Sequence, residues 1–152
     1  MAKVQVIVGS VYGNAKFTAE AVSALLGKLG HEAFANDEAI ATDLTRDEDE
    51  ILLICCSTTG DGEIPRNILP VFSALDNERI DLSGRRYGVI ALGDRGYSRF
   101  AHAGLLLEDA LYRCGARRVG DVLTIDARAD ANAPLKAALW SKDWIEAFEV
   151  CA

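Results

Sequence analysis

Short apolar runs alternate along the chain with segments whose apolar residues recur at helical spacing. Val4-Gln5-Val6-Ile7-Val8, Ile51-Leu52-Leu53-Ile54-Cys55-Cys56 and Tyr87-Gly88-Val89-Ile90-Ala91-Leu92 have strand length, and each runs directly into a polar, glycine-bearing stretch. Val122-Leu123-Thr124-Ile125 reads as a further strand, and Ala33-Phe34-Ala35 as the weakest. Between the strands, Ala19, Val22, Leu25, Leu26 and Leu29 keep the i, i+3, i+4 spacing of one helix face in a helix that starts near Asn14, with Gly30 as its cap. Ile68, Leu69, Phe72 and Leu75 repeat the pattern behind Pro65, which suits a first helical turn, and Leu107, Ala110, Leu111 and Cys114 repeat it before Gly115. A last helical region begins near Pro134 and carries Leu135, Leu139, Trp140, Trp144, Ile145 and Phe148, with Ser141 as the cap of a second segment inside it.

The resulting order, β-α-β-β-α-β-α-β-α, predicts an α/β fold with a parallel sheet covered on both faces. A weak strand after the first helix suits a sheet edge and is consistent with the strand order 2-1-3-4-5. Nothing in the chain reads as a linker, a repeat or a low-complexity segment, so residues 1–152 are expected to form one domain.

Three loops follow the three strong strands: Gly9-Ser10-Val11-Tyr12-Gly13-Asn14-Ala15, Ser57-Thr58-Thr59-Gly60-Asp61-Gly62-Glu63-Ile64-Pro65 and Gly93-Asp94-Arg95-Gly96-Tyr97-Ser98-Arg99-Phe100. Loops leaving the C-terminal ends of parallel strands share one edge, and ligands bind in the crevice there. The first loop opens a helix, whose free N–H groups and dipole make an anion site that needs no Lys or Arg. Ser10, Tyr12 and Asn14 can add side-chain donors. This loop is neither G-x-x-x-x-G-K-[ST] nor G-x-G-x-x-G, which speaks against a nucleoside-triphosphate cradle and a dinucleotide fingerprint. A plain strand-to-helix turn would explain it equally well on its own. In the second loop, Gly60 and Gly62 permit positive φ and close approach of backbone to a ligand, although an Asp-Gly turn is the simpler alternative. The third loop offers Tyr97, a flat aromatic in a polar setting.

Charge and cysteine usage narrow the functions. Sixteen basic against 23 acidic residues give a net charge of −7, which argues against nonspecific nucleic-acid binding and against anionic membrane surfaces, and permits a partner with a basic face. No apolar run approaches the ~18 residues of a membrane span, and Met1-Ala2-Lys3 leads straight into a strand without a signal peptide, so a cytoplasmic chain is expected. Cys55 and Cys56 are adjacent on a strand, point to opposite faces and read as buried, inert thiols; there is no C-x-x-C, and His31 and His102 do not make a metal cluster. The acidic run Asp47-Glu48-Asp49-Glu50 reads as a solvated loop.

Together, in this order and at these spacings, Ser57 to Pro65 and Leu92 to Phe100 resemble the flavin-binding loops of flavodoxins, most closely the branch with the small MioC-type flavodoxins and the FMN domain of sulfite reductase. Ser10-Val11-Tyr12-Gly13-Asn14-Ala15 stands at that family's phosphate-loop position. The resemblance covers nearly the whole chain and implies a three-layer flavodoxin-like sandwich with a five-stranded parallel sheet. It implies FMN as cofactor, its phosphate held by Ser10, Val11, Tyr12, Gly13, Asn14 and Ala15. Thr58, Thr59, Gly60, Asp61 and Gly62 would line the edge and inner face of the ring. Tyr97 would stack on its outer face, while the backbone from Gly93 through Asp94 to Arg99 meets the pyrimidine end and Phe100 packs inward to start the third helix; Leu92, which opens that motif, is a further cofactor-binding candidate. The stretch from Val119 to Ala133 is too short for the long-chain insertion, so the short-chain type is implied.

Several positions depart from the family pattern. Tyr12 and Ala15 stand where many flavodoxins have threonines, Thr59 where others have a tryptophan, and Ala101 where a cysteine is common. Arg95 and Arg99 bring positive charge to a loop that is often acidic. The implied role is an electron carrier, with no catalytic residues and no metal, that takes electrons from an NADPH-dependent flavodoxin/ferredoxin reductase and passes them to an acceptor protein with a basic face, working as a monomer. The alternative is an NAD(P)H-dependent flavin or quinone reductase. A phospho-receiver domain of similar topology would need clustered acids at the ends of the first and third strands, where this chain has Gly9-Ser10 and Cys56-Ser57.

Overall fold

The computed structural model describes residues 1–11, 13–58, 62–93, 101–126 and 132–150. Along the chain run β1 (Lys3–Gly9), α1 (Asn14–Lys28), β2 (Glu32–Asn36), α2 (Ala41–Thr45), β3 (Ile51–Ser57), a 3-10 turn (Arg66–Ile68), α3 (Leu69–Asp76), β4 (Arg86–Gly93), α4 (His102–Arg113), β5 (Arg117–Arg118), β6 (Leu123–Asp126) and α5 (Ala133–Val150). Among the described residues every strand pairing is parallel, in the order β2-β1-β3-β4-β5, with β6 also on β4.

Side-chain alternation along the strands divides the core into two layers. Val4, Val6, Val8, Leu53, Cys55, Ile90 and Leu92 face α1 and α5, meeting Ala19, Val22, Leu26, Ile145 and Phe148. Ile7, Leu52, Ile54, Cys56, Val89 and Ala91 face the opposite way, onto Leu44, Val71, Leu75, Leu107 and Leu111 of α2, α3 and α4. The central strands are buried on both faces, which is why they read as continuous apolar runs rather than as alternating ones.

The fifth strand is broken in two. β5 pairs with Arg86 and Tyr87, and β6 pairs with Ile90 to Gly93. Trp144 lies where the two pieces part. Its indole N–H donates to Val119 O at 2.9 Å, and its ring occupies the space a Cβ on Gly88 would need, 2.7 Å away. Gly120, with φ 78°, turns the chain beside it.

Three expectations need correction. The segment before β3 contains α2, whose single turn is too short to show a periodic pattern. Glu50 does not belong to a solvated loop: it is buried, accepts from Gln5 Nε2 at 2.7 Å and pairs with Arg46 at 2.6 Å. Ser141 does not cap a second segment, because α5 runs unbroken and the buried Ser141 hydroxyl donates back to Ala138 O at 2.7 Å within it.

Candidate functional site

The register brings Gly9 opposite Cys56, Ser57 opposite Leu92 and Gly93 opposite Asp126, so the ends of β1, β3, β4 and β6 form one edge. The loops leaving β1, β3 and β4 start from that edge.

The first loop is built from the core outward. A Cβ on Gly9 would lie 2.8 Å from both Cys56 Sγ and Ile68 Cγ2, so core packing requires glycine there. Ser10 N–H donates to Asn67 Oδ1 at 3.0 Å, and Gly13 N–H donates to Ser10 Oγ at 2.9 Å. Gly13 caps α1 in the left-handed region, φ 91°. Phe17 N–H donates to Gly13 O at 2.9 Å. The three amides before it, Asn14 to Lys16, have no acceptor within the helix. The first turn of α1 carries no carboxylate to compete for them, and the helix dipole adds positive potential. The expected cluster of free amides is thus narrower than the whole loop: those of Ser10 and Gly13 serve the loop itself. The Ser10 oxygen accepts from Gly13 and keeps its own proton to donate. Val11 and Asn14 are exposed, whereas Ala15 is fully buried, so only its backbone can serve a ligand.

The other two loops are anchored to each other. Thr58 N–H donates to Leu92 O at 3.0 Å, and Thr58 Oγ1 accepts from Ala103 N–H at 3.1 Å, in the first turn of α4. The Leu92 side chain packs in the core, so it can offer the site only backbone. Gly62 is buried with φ 98°, a conformation suited to glycine. Gly93 ends β4. Tyr12, Thr59, Gly60, Asp61, Asp94, Arg95, Tyr97, Arg99 and Phe100 lie outside the described residues.

Beneath the loops sit the two adjacent thiols. Burial pushes the Cys56 thiol up to about 12 and raises that of Cys55 as well, with Cys56 adding to the effect on Cys55. Cys55 donates to Ala15 O at 3.4 Å, under the start of α1. Both are therefore held as neutral packing groups. Among the described residues, no group of His, Cys, Asp and Glu could hold a metal ion, and no helix is long and apolar enough to cross a membrane.

One residue that sequence reasoning passed over is central to this geometry. Asn67, in the 3-10 turn, reads as an ordinary polar residue between Arg66 and Ile68. Besides accepting from Ser10, its Nδ2 donates to Val8 O at 2.8 Å and to Asp37 O at 3.0 Å. The Pro65 that precedes the turn was the only signal nearby.

The flavodoxin family model matches residues 6–140. The chain belongs to the flavodoxin family. It is 36% identical over 146 residues to flavodoxin YqcA of Pectobacterium carotovorum subsp. carotovorum, covering 96% of this chain and 97% of that one. It is 32% identical over 145 residues to protein MioC of Escherichia coli K12, covering 95% and 97%. Among solved structures, a cysteine-to-serine mutant of flavodoxin from Pseudomonas aeruginosa superposes with a TM-score of 0.88 at 31% identity, over 97% of this chain and 99% of that one. Membership implies a flavin cofactor and electron exchange with redox partners. The start of α1 fits the phosphate of such a cofactor, since it presents helical amides without intrahelical acceptors and sets no carboxylate against them.

Proposed function

We propose that this flavodoxin binds FMN, as one domain over residues 1–152, and carries electrons from an NADPH-dependent reductase to an acceptor protein with a basic face. The observation that carries the reading is the start of α1: first-turn amides without acceptors inside the helix, with no carboxylate in that turn, on the same sheet edge as the loops after β3 and β4. FMN, when bound, supplies the redox chemistry, and the chain supplies binding and orientation.

In this reading, the amides and hydroxyls of Ser10, Val11, Tyr12, Gly13, Asn14 and Ala15 hold the phosphate. Thr58, Thr59, Gly60, Asp61 and Gly62 bound one side of the ring. Leu92, Gly93, Asp94, Arg99 and Phe100 bound the other, with Tyr97 stacked on the face. One phosphate loop without an adenosine site favours FMN over FAD. The net charge of −7 favours a basic partner, whereas Arg95 and Arg99 oppose one locally.

The test is to denature purified protein, identify the released flavin, and titrate the apoprotein with FMN and FAD separately. FMN release or uptake is expected. Exclusive FAD binding, or no flavin binding, overturns the proposal. Rapid turnover of a quinone with NADPH and this protein alone would replace the carrier role with a reductase role.

A further inference from the structure

We infer that Asn67 is the positioning residue for the phosphate loop, and that it sets the preference for a phosphorylated over an unphosphorylated flavin; this rests on the FMN reading above. The last pair between β1 and β2 is Ile7 with Asn36. One residue farther on, the two strands part, and the carbonyls of Val8 and Asp37 lie past the ladder. The carboxamide of Asn67 fills that gap, giving both of its N–H groups to those carbonyls, at 2.8 and 3.0 Å. Its oxygen is thereby aimed at the chain leaving β1, where it takes the Ser10 N–H at 3.0 Å.

Three consequences follow for the site. The amide nearest the strand is withdrawn from the ligand, so the loop cannot close flat onto β1. Ser10 is fixed so that its oxygen accepts from Gly13 N–H at 2.9 Å, which holds Gly13 at φ 91° and starts α1 at Asn14. The amides of Asn14 to Lys16 are thus aimed by a relay that begins at Asn67, although Asn67 itself spends all its hydrogen bonds on backbone. The anchor is firm: Ile68, the next residue, is fully buried, and its side chain lies against Gly9. A carboxamide is the side chain that offers two donors and an acceptor in one plane, as these partners require. An aspartate would face two carbonyls with no proton to give.

A positioning role for the phosphate separates from a structural role in the whole site by comparing FMN with riboflavin, which has the same ring and no phosphate. Affinities of both for the apoprotein are measured by flavin-fluorescence titration, in wild type and Asn67→Ala, alongside amide hydrogen exchange of Ser10 in the apoprotein. Asn67→Ala is expected to weaken FMN about tenfold or more, to leave riboflavin within about twofold, and to speed exchange at Ser10. If Asn67→Ala does not fold, Asn67→Ser carries the same comparison, since a short hydroxyl cannot reach all three partners. Equal losses for FMN and riboflavin, or no loss for either, overturn the inference while leaving FMN binding in place. Wild-type protein that binds FMN no better than riboflavin overturns the phosphate-loop reading itself, before any variant is made.

Discussion

The two ends of the sheet are held together by different chemistry. At the end where the strands begin, charge closes the structure. Glu50 pairs with Arg46, Lys3 with Asp47, and the Arg46 guanidinium lies 4.6 Å over the Phe34 ring. The buried Arg85 gives its guanidinium to the carbonyls of Leu44 and Glu50. An open hollow of about 590 Å³ lies there, but Lys3, Arg46, Asp47 and Glu50 among its lining are already paired. At the end where the strands finish, neutral side chains tie the loops after β1 and β3, beside a buried Asp126 that ends β6. Asn67, Ser57, Thr58 and Ser10 make the cross-links, and the ion pair of Lys16 with Asp37 is half exposed. Anchoring by amides and hydroxyls leaves no buried carboxylate in the first turn of α1, where it would repel an anion. The hollow at the charged end is thus the poorer candidate for a ligand, because four of its charged side chains are spent on the fold.

Breaking the charged end should cost stability and spare binding. Arg85→Ala removes three hydrogen bonds from a cation to buried carbonyls. Bonds to charged groups contribute roughly 1.5–3 kcal/mol each and do not simply add, so a loss of about 3–5 kcal/mol is expected. Denaturant unfolding of the apoprotein measures it. The FMN affinity of the folded variant should stay within about twofold of wild type. A large parallel loss of affinity would show that the two ends are coupled rather than independent.

The reverse experiment sits at the other end. Stacking contributes roughly 0.5–1.5 kcal/mol beyond area burial, so Tyr97→Ala should weaken FMN binding by about tenfold, and Tyr97→Phe should largely preserve it. The unfolding midpoint of the apoprotein should not move. An unchanged FMN affinity in Tyr97→Ala would remove the ring-stacking role.

The same contrast explains what could be read from the sequence. The strong strands were legible because β1, β3 and β4 are buried on both faces and so carry unbroken apolar runs, whereas their order followed from the weak edge strand and the family resemblance. The common edge from which the loops leave was legible because parallel strands place their C-terminal ends together. The charged end was not: Glu50 sits in an acidic run that looks solvated, and its partners Gln5 and Arg46 reach it from β1 and from beside α2. Asn67 was hidden for the same reason, since its partners are 30 to 59 residues away. Long-range hydrogen bonds by polar side chains leave no period in the sequence, whereas burial does.

The finest probe uses one strained residue from each end. Arg79, in the turn before β4, and Ala101, before α4, both hold positive φ, 47° and 55°. The left-handed region costs an L-residue roughly 1–2 kcal/mol. Glycine relieves that, less roughly 0.4–1 kcal/mol for the greater freedom of the unfolded chain. Arg79 is exposed and its side chain has little burial to lose, so Arg79→Gly should stabilise the apoprotein by about 0.5–1 kcal/mol. For a chain of this size that is a Tm rise of about 2 °C. Ala101 is fully buried, and losing its methyl removes about 0.8 kcal/mol of burial. Ala101→Gly should therefore leave Tm within about 1 °C of wild type, strain relief and lost packing cancelling. A gain at Ala101 equal to that at Arg79 would mean that the Ala101 methyl contributes nothing to the packing beneath the loop edge.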